Sequence, residues 1–256
     1  TAEQNFKITA EQLEAAITPK TKAFIFSTPC NPSGSVYTKE ELASLVEVFK
    51  KYPRIIVLSD EIYEFIQYEQ KHESMGQFTE LKDRLVIING VAKGYAMTGW
   101  RIGYIAAPKA IVSACNKIQG QYTSGICTIA QAASLEAVKM SPENSEEIQT
   151  MLKAFRNRRD MFFELLSEIP GLKLSKPAGA FYMFPEVKSY FGKTDGETTI
   201  NNSDDLCLYL LNKAHVACVA GAAFGNEECI RLSYATSEDK LREAAARIKE
   251  ALSKLK

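Results

Sequence analysis

Hydrophobic residues along the chain follow two patterns, short continuous apolar runs and longer segments with helical spacing. Apolar runs at 23–26, 55–58 and 85–88 predict strands that are buried on both faces, because four consecutive apolar residues suit neither a half-exposed strand nor a loop. Between the first two runs, residues 38–49 begin with a Thr-x-x-Glu capping box and continue with helical apolar spacing. This alternation predicts an α/β fold with a mainly parallel sheet.

The second half of the chain has a different pattern. Ser141-Pro142 precedes the longest helical segment, and we expect the serine to cap that helix with proline at its first position. Farther along, the pattern predicts two short strands around Gly179 and several short elements separated by a polar loop. We therefore predict two domains, a large one over residues 1–155 and a smaller α+β domain over residues 156–256.

Composition narrows the classes of function. Lys plus Arg and Asp plus Glu number 31 each, so we expect no nucleic-acid partner. No apolar stretch has the length of a membrane span, and we expect no membrane partner and a cytoplasmic location. Two scattered histidines predict no metal site, and six cysteines without a C-x-x-C pair indicate free thiols.

Polar residues follow the three predicted strands. Asn31 comes after the first strand, Asp60 directly after the second, and Lys93 in a turn of small residues after the third. The carboxyl ends of parallel strands meet at one edge of a sheet, where ligands bind in folds of this type. We therefore expect these three side chains on the same edge.

The stretch from Asn89 to Tyr104 contains two candidate ligand-binding cations. Lys93 is followed eight residues later by Arg101, which comes directly after Trp100. A lysine that reaches a carbonyl carbon and an arginine that binds a phosphate suit an aldehyde cofactor with a phosphate group. Each residue alone also fits a plainer interpretation, a lysine and an arginine of a surface loop.

Two further residues have both a structural and a functional interpretation. Tyr63 lies three residues after Asp60 and either packs in the core or donates its hydroxyl to a ligand. Arg231 lies in an apolar strand, where a charge belongs either to an internal ion pair or to a clamp for a substrate carboxylate. Asp60 itself would otherwise be an ordinary capping or salt-bridged aspartate.

Five motifs, in order along the whole chain, resemble the class I pyridoxal-phosphate aminotransferases of the bacterial aspartate aminotransferase type. They are NPSG at 31–34, SDEIYE at 59–64, AKGYAMTGWRIGY at 92–104, KPAGAFYMFP at 176–185 and IRLSYATS at 230–237. The resemblance implies the fold-type-I transferase architecture, the cofactor pyridoxal 5'-phosphate and a homodimer.

The resemblance also implies a role for each candidate in the cofactor site. Lys93 would hold the cofactor through a Schiff base and act as the catalytic acid and base. Asp60 would pair with the protonated ring nitrogen, and Tyr63 and Asn31 would hydrogen-bond the phenolic oxygen. Arg101 would bind the phosphate.

For the substrates, the resemblance implies that Arg231, together with Asn31, binds the α-carboxylate. The reaction would move an amino group from an amino acid, favoured as aspartate, to a 2-oxo acid, favoured as 2-oxoglutarate. Two alternatives stay open, a carbon–sulfur β-lyase with the same cofactor and a non-catalytic sensor domain of a transcription regulator. The joint presence of Lys93, Asp60 and Arg231 favours catalysis.

The sequence departs from the family pattern at several places. Ala92 and Gly90 stand where family members often have serines that contact the phosphate, so we expect more of that binding to fall on Arg101 and backbone N–H groups. Ala220 stands where proline is frequent. The family's N-terminal portion, with its glycine-rich phosphate loop, has no counterpart in these residues, and we expect an incomplete site within them.

Overall fold

The structure is a computed structural model that describes residues 1–256. The helices are α1 (Ala10–Ala16), α2 (Lys39–Lys51), α3 (Lys109–Tyr122), α4 (Thr128–Lys139), α5 (Glu146–Ser167), α6 (Ser203–Tyr209) and α7 (Glu238–Ser253). The strands are β1 (Ala23–Ser27), β2 (Ile56–Asp60), β3 (Leu85–Gly90), β4 (Gly103–Ala106), β5 (Tyr182–Met183), β6 (Val219–Ala220) and β7 (Ile230–Ser233). None of the helices combines the length and the hydropathy that crossing a membrane requires.

The chain forms two compact units. The first, here called the sheet unit, comprises Lys7–Cys30 and Val36–Met151. The second, the C-terminal unit, comprises Thr1–Phe6, Asn31–Ser35 and Leu152–Lys256. The predicted domain boundary between residues 155 and 156 lies in α5, the helix in which the second unit resumes, and it stays a prediction.

The sheet unit contains a four-stranded sheet of order β1-β2-β3-β4. β1, β2 and β3 are parallel, and β4 is antiparallel to β3. The mainly parallel α/β architecture predicted from the sequence is therefore confirmed. β4 has no counterpart among the predicted strands, because its four residues, Gly-Tyr-Ile-Ala, form too short an apolar run to indicate one.

The two faces of β1 have different surroundings. Phe24 and Phe26 pack against a core that includes Leu42 and Leu45 of α2. Side chains alternate along a strand, so Ile25 lies on the opposite face, where it is 69% exposed. The expectation that this strand is buried on both faces is therefore wrong for β1, because α1 and α2 cover only the face that carries the phenylalanines.

The longest helix begins later than the sequence indicates. Pro142–Asn144 forms a short 3-10 turn, and the Ser141 side chain makes no capping hydrogen bond. α5 begins at Glu146, and the Oγ atom of Ser145 accepts a hydrogen bond from the backbone N–H of Ile148 at 3.4 Å. The predicted cap at Ser141 is therefore wrong, because the intervening 3-10 turn transfers that position to Ser145.

The C-terminal unit contains a three-stranded antiparallel sheet of order β5-β7-β6. Only one of the two strands expected around Gly179 forms, β5, and Ala180, two residues before it, adopts a left-handed φ of 54° that interrupts the extended backbone there. The Oη atom of Tyr234, a fully buried residue, donates to the Ala180 carbonyl at 3.1 Å and fixes this turn. α6 and α7 are joined by a hydrogen bond from Tyr209 Oη to the Ala251 carbonyl at 3.1 Å.

Candidate active site

Three of the predicted site residues lie at the carboxyl edge of the sheet unit. β2 and β3 are neighbours, with Asp60 in register with Ile88, so the turn that carries Lys93 leaves the sheet beside the end of β2. The Nζ atom of Lys93 lies 5.7 Å from the centroid of the Tyr63 ring. Asp60, Tyr63 and Lys93 therefore come from adjacent strand ends.

The Asp60 carboxylate lies in an environment that favours a cationic ligand. Its Oδ1 atom accepts a hydrogen bond from the backbone N–H of Ile62 at 3.1 Å. Burial raises the pKa of Asp60, and the negative charge of Glu61 raises it further, against the lowering effect of the Ile62 hydrogen bond. A carboxylate whose charged form is disfavoured in this way is stabilised by a nearby positive charge.

Two glycines explain the close packing around Lys93. A Cβ atom on Gly90 would lie 2.7 Å from the Ile102 carbonyl oxygen, and one on Gly94 would lie 2.6 Å from Cδ2 of Phe65. A serine at position 90 would therefore require the backbone at Ile102, just before β4, to move. A side chain at position 90 is thus sterically disfavoured in this structure.

Arg101 lies at an exposed position of the turn that follows Lys93. It has a left-handed φ of 55°, and its Nη1 atom donates to the carbonyl of Thr98, within the same turn, at 3.0 Å. Both Arg101 and the preceding Trp100 are exposed. The guanidinium group is thus accessible to an anion rather than committed to an internal carboxylate.

In the C-terminal unit, Arg231 is held from three sides. Its Nη1 atom donates to Oδ1 of Asn31 at 2.9 Å. Its guanidinium carbon lies 4.6 Å from the centroid of the Tyr182 ring and 4.9 Å from that of Phe224. Stacking on aromatic rings fixes the plane of the guanidinium group, and a planar guanidinium is suited to bidentate binding of a carboxylate.

The loop that carries Asn31 is itself anchored in this unit. The carbonyl of Gly34 accepts hydrogen bonds from the backbone N–H groups of Ala178 and Gly179 at 2.9 and 2.8 Å. Gly34 has a φ of +71°, and a Cβ atom there would lie 2.4 Å from Cβ of Pro177. The NPSG and KPAGAF motifs therefore form one packed cluster that positions Asn31 beside Arg231. The expected common edge of Asn31 with Asp60 and Lys93 stays a prediction.

The fold also joins two residues that the sequence analysis did not connect. Glu61 is 1% exposed, and its Oε2 atom lies 3.0 Å from Nε2 of His72. Its Oε1 atom accepts hydrogen bonds from Ser59 Oγ at 2.9 Å and from the backbone N–H of Met75 at 3.0 Å. The strand alternation signals the burial of Glu61, since position 61 is in phase with the buried Val57 and Ser59, but it does not identify His72 as the partner.

Comparison with known proteins decides the family. The family model described as aminotransferase class I and II matches residues 1–248. The chain belongs to the class I and II aminotransferases. The cofactor of this aminotransferase family is pyridoxal 5'-phosphate, and its architecture is that of the fold-type-I transferases, as the sequence motifs had implied.

Several individual aminotransferases are similar to the chain. It is 46% identical over 255 residues to a bifunctional aspartate aminotransferase and glutamate/aspartate-prephenate aminotransferase of Petunia hybrida, covering 99% of the chain and 53% of that protein. It is 45% identical over 249 residues to an aspartate/prephenate aminotransferase of Cereibacter sphaeroides, covering 96% of the chain and 62% of that protein. The chain thus spans between about half and two thirds of the length of these aminotransferases.

Two solved aminotransferase structures agree with this assignment. The aspartate aminotransferase from Rhizobium meliloti superposes with a TM-score of 0.93 at 40% identity, over 100% of this chain and 64% of that one. The aspartate aminotransferase of Thermus thermophilus, as a double mutant, gives a TM-score of 0.86 at 38% identity, over 98% of this chain and 62% of that one.

Proposed function

We propose that this chain supplies the catalytic lysine, the ring-binding aspartate and the carboxylate-binding arginine of a pyridoxal-phosphate aminotransferase. The observation that carries the proposal is that Asp60 and Lys93 come from the ends of two neighbouring strands, β2 and β3, with Lys93 Nζ beside the Tyr63 ring. The chemistry of this donor set fits the cofactor, because a buried carboxylate with a raised pKa favours a protonated ring nitrogen beside it.

Each candidate has a role that follows from its chemistry. When bound, the cofactor supplies an aldehyde that condenses with amines and a ring that withdraws electrons from them. Asp60 would keep a proton on the ring nitrogen, and Tyr63 and Asn31 would donate hydrogen bonds to the phenolic oxygen. Arg101, together with backbone N–H groups, would bind the phosphate.

Lys93 has two successive roles in this proposal. Its amine would hold the cofactor covalently. When not engaged in that bond, the same amine would accept the proton of the substrate α-carbon and return it one carbon away, which requires a base within reach of both atoms. A primary amine on a flexible four-carbon chain satisfies that requirement.

The proposed substrates rest on the carboxylate-binding chemistry of Arg231 and on the names of the similar aminotransferases. Arg231 binds the α-carboxylate that amino acids and 2-oxo acids share, with Asn31 fixing its orientation. We propose aspartate as donor and 2-oxoglutarate as acceptor, and the names of the petunia and Cereibacter relatives add prephenate as a further acceptor. Because these relatives are aminotransferases, the β-lyase and the sensor domain are not favoured. The homodimer and the cytoplasmic location stay predictions.

The lysine assignment can be tested by covalent labelling. The active enzyme is incubated with pyridoxal phosphate, reduced with borohydride and digested, and the labelled peptide is identified by mass spectrometry. We expect the label on Lys93 and its loss in Lys93→Ala, whereas Lys82→Ala, which removes an exposed lysine, should keep it. Equal labelling of many lysines, or a label that survives Lys93→Ala, would show the assignment to be wrong.

Transfer itself is measured with aspartate and 2-oxoglutarate, by chromatography of the glutamate formed. Release of pyruvate and ammonia from cysteine without glutamate formation would instead identify a lyase. Failure of labelling at Lys93 and failure of transfer are separate outcomes, because the first concerns the cofactor and the second the substrates.

The Arg231 clamp makes a second prediction. Arg231→Ala should raise the KM for aspartate by about 10- to 100-fold, since hydrogen bonds to charged groups contribute about 1.5–3 kcal/mol. Arg231→Lys should recover only part of that loss, because an ammonium group lacks the planar fork. Arg242→Ala, at an exposed position of α7, is the matched control. Loss of the Lys93 label in Arg231→Ala would contradict a role confined to the substrate.

A further inference from the structure

Two of the six cysteines contact each other in the C-terminal unit. Cys207 lies in α6 and Cys218 lies one residue before β6. Their Sγ atoms are 3.3 Å apart, with the Cys218 thiol donating to Cys207. Both are free thiols and partly accessible to solvent. A disulfide has an S–S distance of about 2.05 Å, so the two sulfurs need to approach by only about 1.3 Å.

We propose that Cys207 and Cys218 form a reversible modification site, a dithiol that a small disulfide such as glutathione disulfide converts to an intramolecular disulfide. The proposal goes beyond aminotransferase chemistry and uses no residue of the candidate active site. Its basis is the contact between the two sulfurs and their separation in the sequence by a short segment, the π-helical turn Leu210–Ala214 and the residues after it.

The geometry assigns different roles to the two thiols. The hydrogen bond from Cys218 lowers the pKa of the Cys207 thiol, against the opposing effects of burial and of the Asp204 charge. The same hydrogen bond and burial raise the pKa of Cys218. Because the thiolate is the nucleophile, Cys207 is the thiol that attacks first.

The reaction balances with one molecule of glutathione disulfide. Cys207 loses its proton, and its Sγ atom attacks one sulfur of glutathione disulfide, which breaks that S–S bond and releases one glutathione. Cys218 then loses its proton, and its Sγ atom attacks the Cys207 sulfur of the mixed disulfide, which releases the second glutathione. The two protons end on the two glutathione thiols, so the protein pair is oxidised by two electrons and the oxidant is reduced by two.

The other four cysteines lack this arrangement. Cys115 and Cys127 are exposed free thiols, and neither contacts another sulfur. Cys229 is 1% exposed, and burial raises its pKa to about 12, which disfavours its thiolate. Cys30 belongs to the sheet unit. The 207–218 pair is therefore the site where an intramolecular disulfide is expected.

Formation of the Cys207–Cys218 disulfide has a consequence for β6. Cys218 is followed by Val219, which is the register partner of Arg231 in β7. α6 is anchored to α7 through the Tyr209–Ala251 hydrogen bond, so most of the movement falls on the segment at Cys218. We therefore expect the disulfide to shift β6 against Arg231 and to weaken carboxylate binding, a consequence that rests on the proposed function.

The site is tested in the full chain with Cys115→Ser and Cys127→Ser, which removes the exposed thiols. This protein is equilibrated at increasing ratios of oxidised to reduced glutathione, alkylated, digested after Lys213 and other basic residues, and mapped by mass spectrometry. We expect a peptide pair linked through Cys207 and Cys218 and the loss of two of the four remaining thiols. Dithiothreitol should restore both. Adding Cys207→Ser, or Cys207→Ala in case the serine variant folds poorly, should abolish the link.

Full alkylation of both residues in glutathione disulfide alone, or a stable mixed disulfide on Cys207, would overturn the proposal. The mapping needs no enzymatic activity, so its result is independent of the proposed function. In the active enzyme we expect oxidation to raise the KM for aspartate severalfold with little change in kcat, and to leave the Cys207→Ser variant unaffected. A mapped disulfide with an unchanged KM would overturn the link to Arg231.

Discussion

Asp60 and Glu61 are consecutive carboxylates at the end of β2, and they lie in opposite kinds of environment. Glu61 is bound by His72, Ser59 and the backbone of Met75. Burial alone would raise the pKa of Glu61, but the hydrogen bonds and the electrostatic attraction of His72 lower it. For Asp60 burial prevails, and its pKa is raised.

The difference distinguishes the folded framework, to which Glu61 belongs, from the ligand site, to which Asp60 belongs. Folding supplies Glu61 with its partners, so its negative charge contributes to the stability of the sheet end. Folding removes water from Asp60 without supplying an equivalent set of donors, so the charge of Asp60 is stabilised only by something that binds later. Two neighbouring acids of similar chemistry thus have separable effects on stability and on activity.

The largest effect expected is on stability, at Glu61. Glu61→Ala should lower the free energy of unfolding by about 3–5 kcal/mol, because it leaves His72 without its buried partner. Urea denaturation measures the change. Glu80→Ala, at an exposed position, should change stability by no more than about 0.5 kcal/mol. If the two variants proved equally stable, the Glu61–His72 pair would not be part of the framework.

Substitution of His72 tests whether the effect of Glu61→Ala arises from this pair. His72→Ala should also destabilise the chain, and the double variant with Glu61→Ala should lose much less than the sum of the two single losses. That non-additivity is the measure of direct coupling between neighbouring groups. Additive losses would indicate that each side chain acts through other contacts.

At Asp60 the expected effect is on catalysis. In the active enzyme, Asp60→Asn should lower kcat by about 10²–10³-fold, the effect typical of removing one preorganised electrostatic partner of the reacting group. Without cofactor, the same substitution should not lower stability, because the raised pKa means that the folded state disfavours the Asp60 charge.

Asp83→Asn, at an exposed position, is the matched control and should leave kcat unchanged. Wild-type activity in Asp60→Asn, together with a loss in Glu61→Gln, would reverse the proposed roles of the two carboxylates. Activity is compared at saturating cofactor, so that a change in kcat is separated from a change in cofactor affinity.

Local sequence patterns predicted the parts of the fold that depend on local interactions. The capping box at Thr38 forms as expected, since its two partners, Thr38 and Glu41, lie three residues apart. The parallel strands β1 to β3 followed from their continuous apolar runs. The cap at Ser141 failed because a 3-10 turn and a helix start have nearly the same sequence signal.

Contacts between distant residues were beyond local patterns. Asn31 and Arg231 are 200 positions apart, and only the family motifs assigned both to the substrate carboxylate; the hydrogen bond between them was not predicted. His72 and Glu61 are 11 positions apart across a turn of irregular structure, so no periodicity connects them. Cys207 and Cys218 likewise meet only because the π-helical turn brings the chain back toward α6.

Acid titration provides the smallest and most specific test of the two carboxylates. The pKa of Glu61 is lowered from 4.5, so its contribution to stability is complete above pH 4.5 and is lost as the pH falls through its folded-state pKa. The pKa of Asp60 is raised from 3.8, so stability is gained as the pH falls through its folded-state pKa toward 3.8.

The two substitutions should therefore change the acid dependence of stability in opposite directions. Between pH 6 and pH 3, Glu61→Gln should lose less unfolding free energy than the unmodified chain, and Asp60→Asn should lose more. Each unit of pKa shift corresponds to about 1.4 kcal/mol. Urea denaturation at closely spaced pH values, compared by slope rather than by absolute stability, measures both. Parallel profiles for all three proteins would mean that the two carboxylates do not differ as their surroundings indicate, and the distinction between framework and site would fail at this strand end.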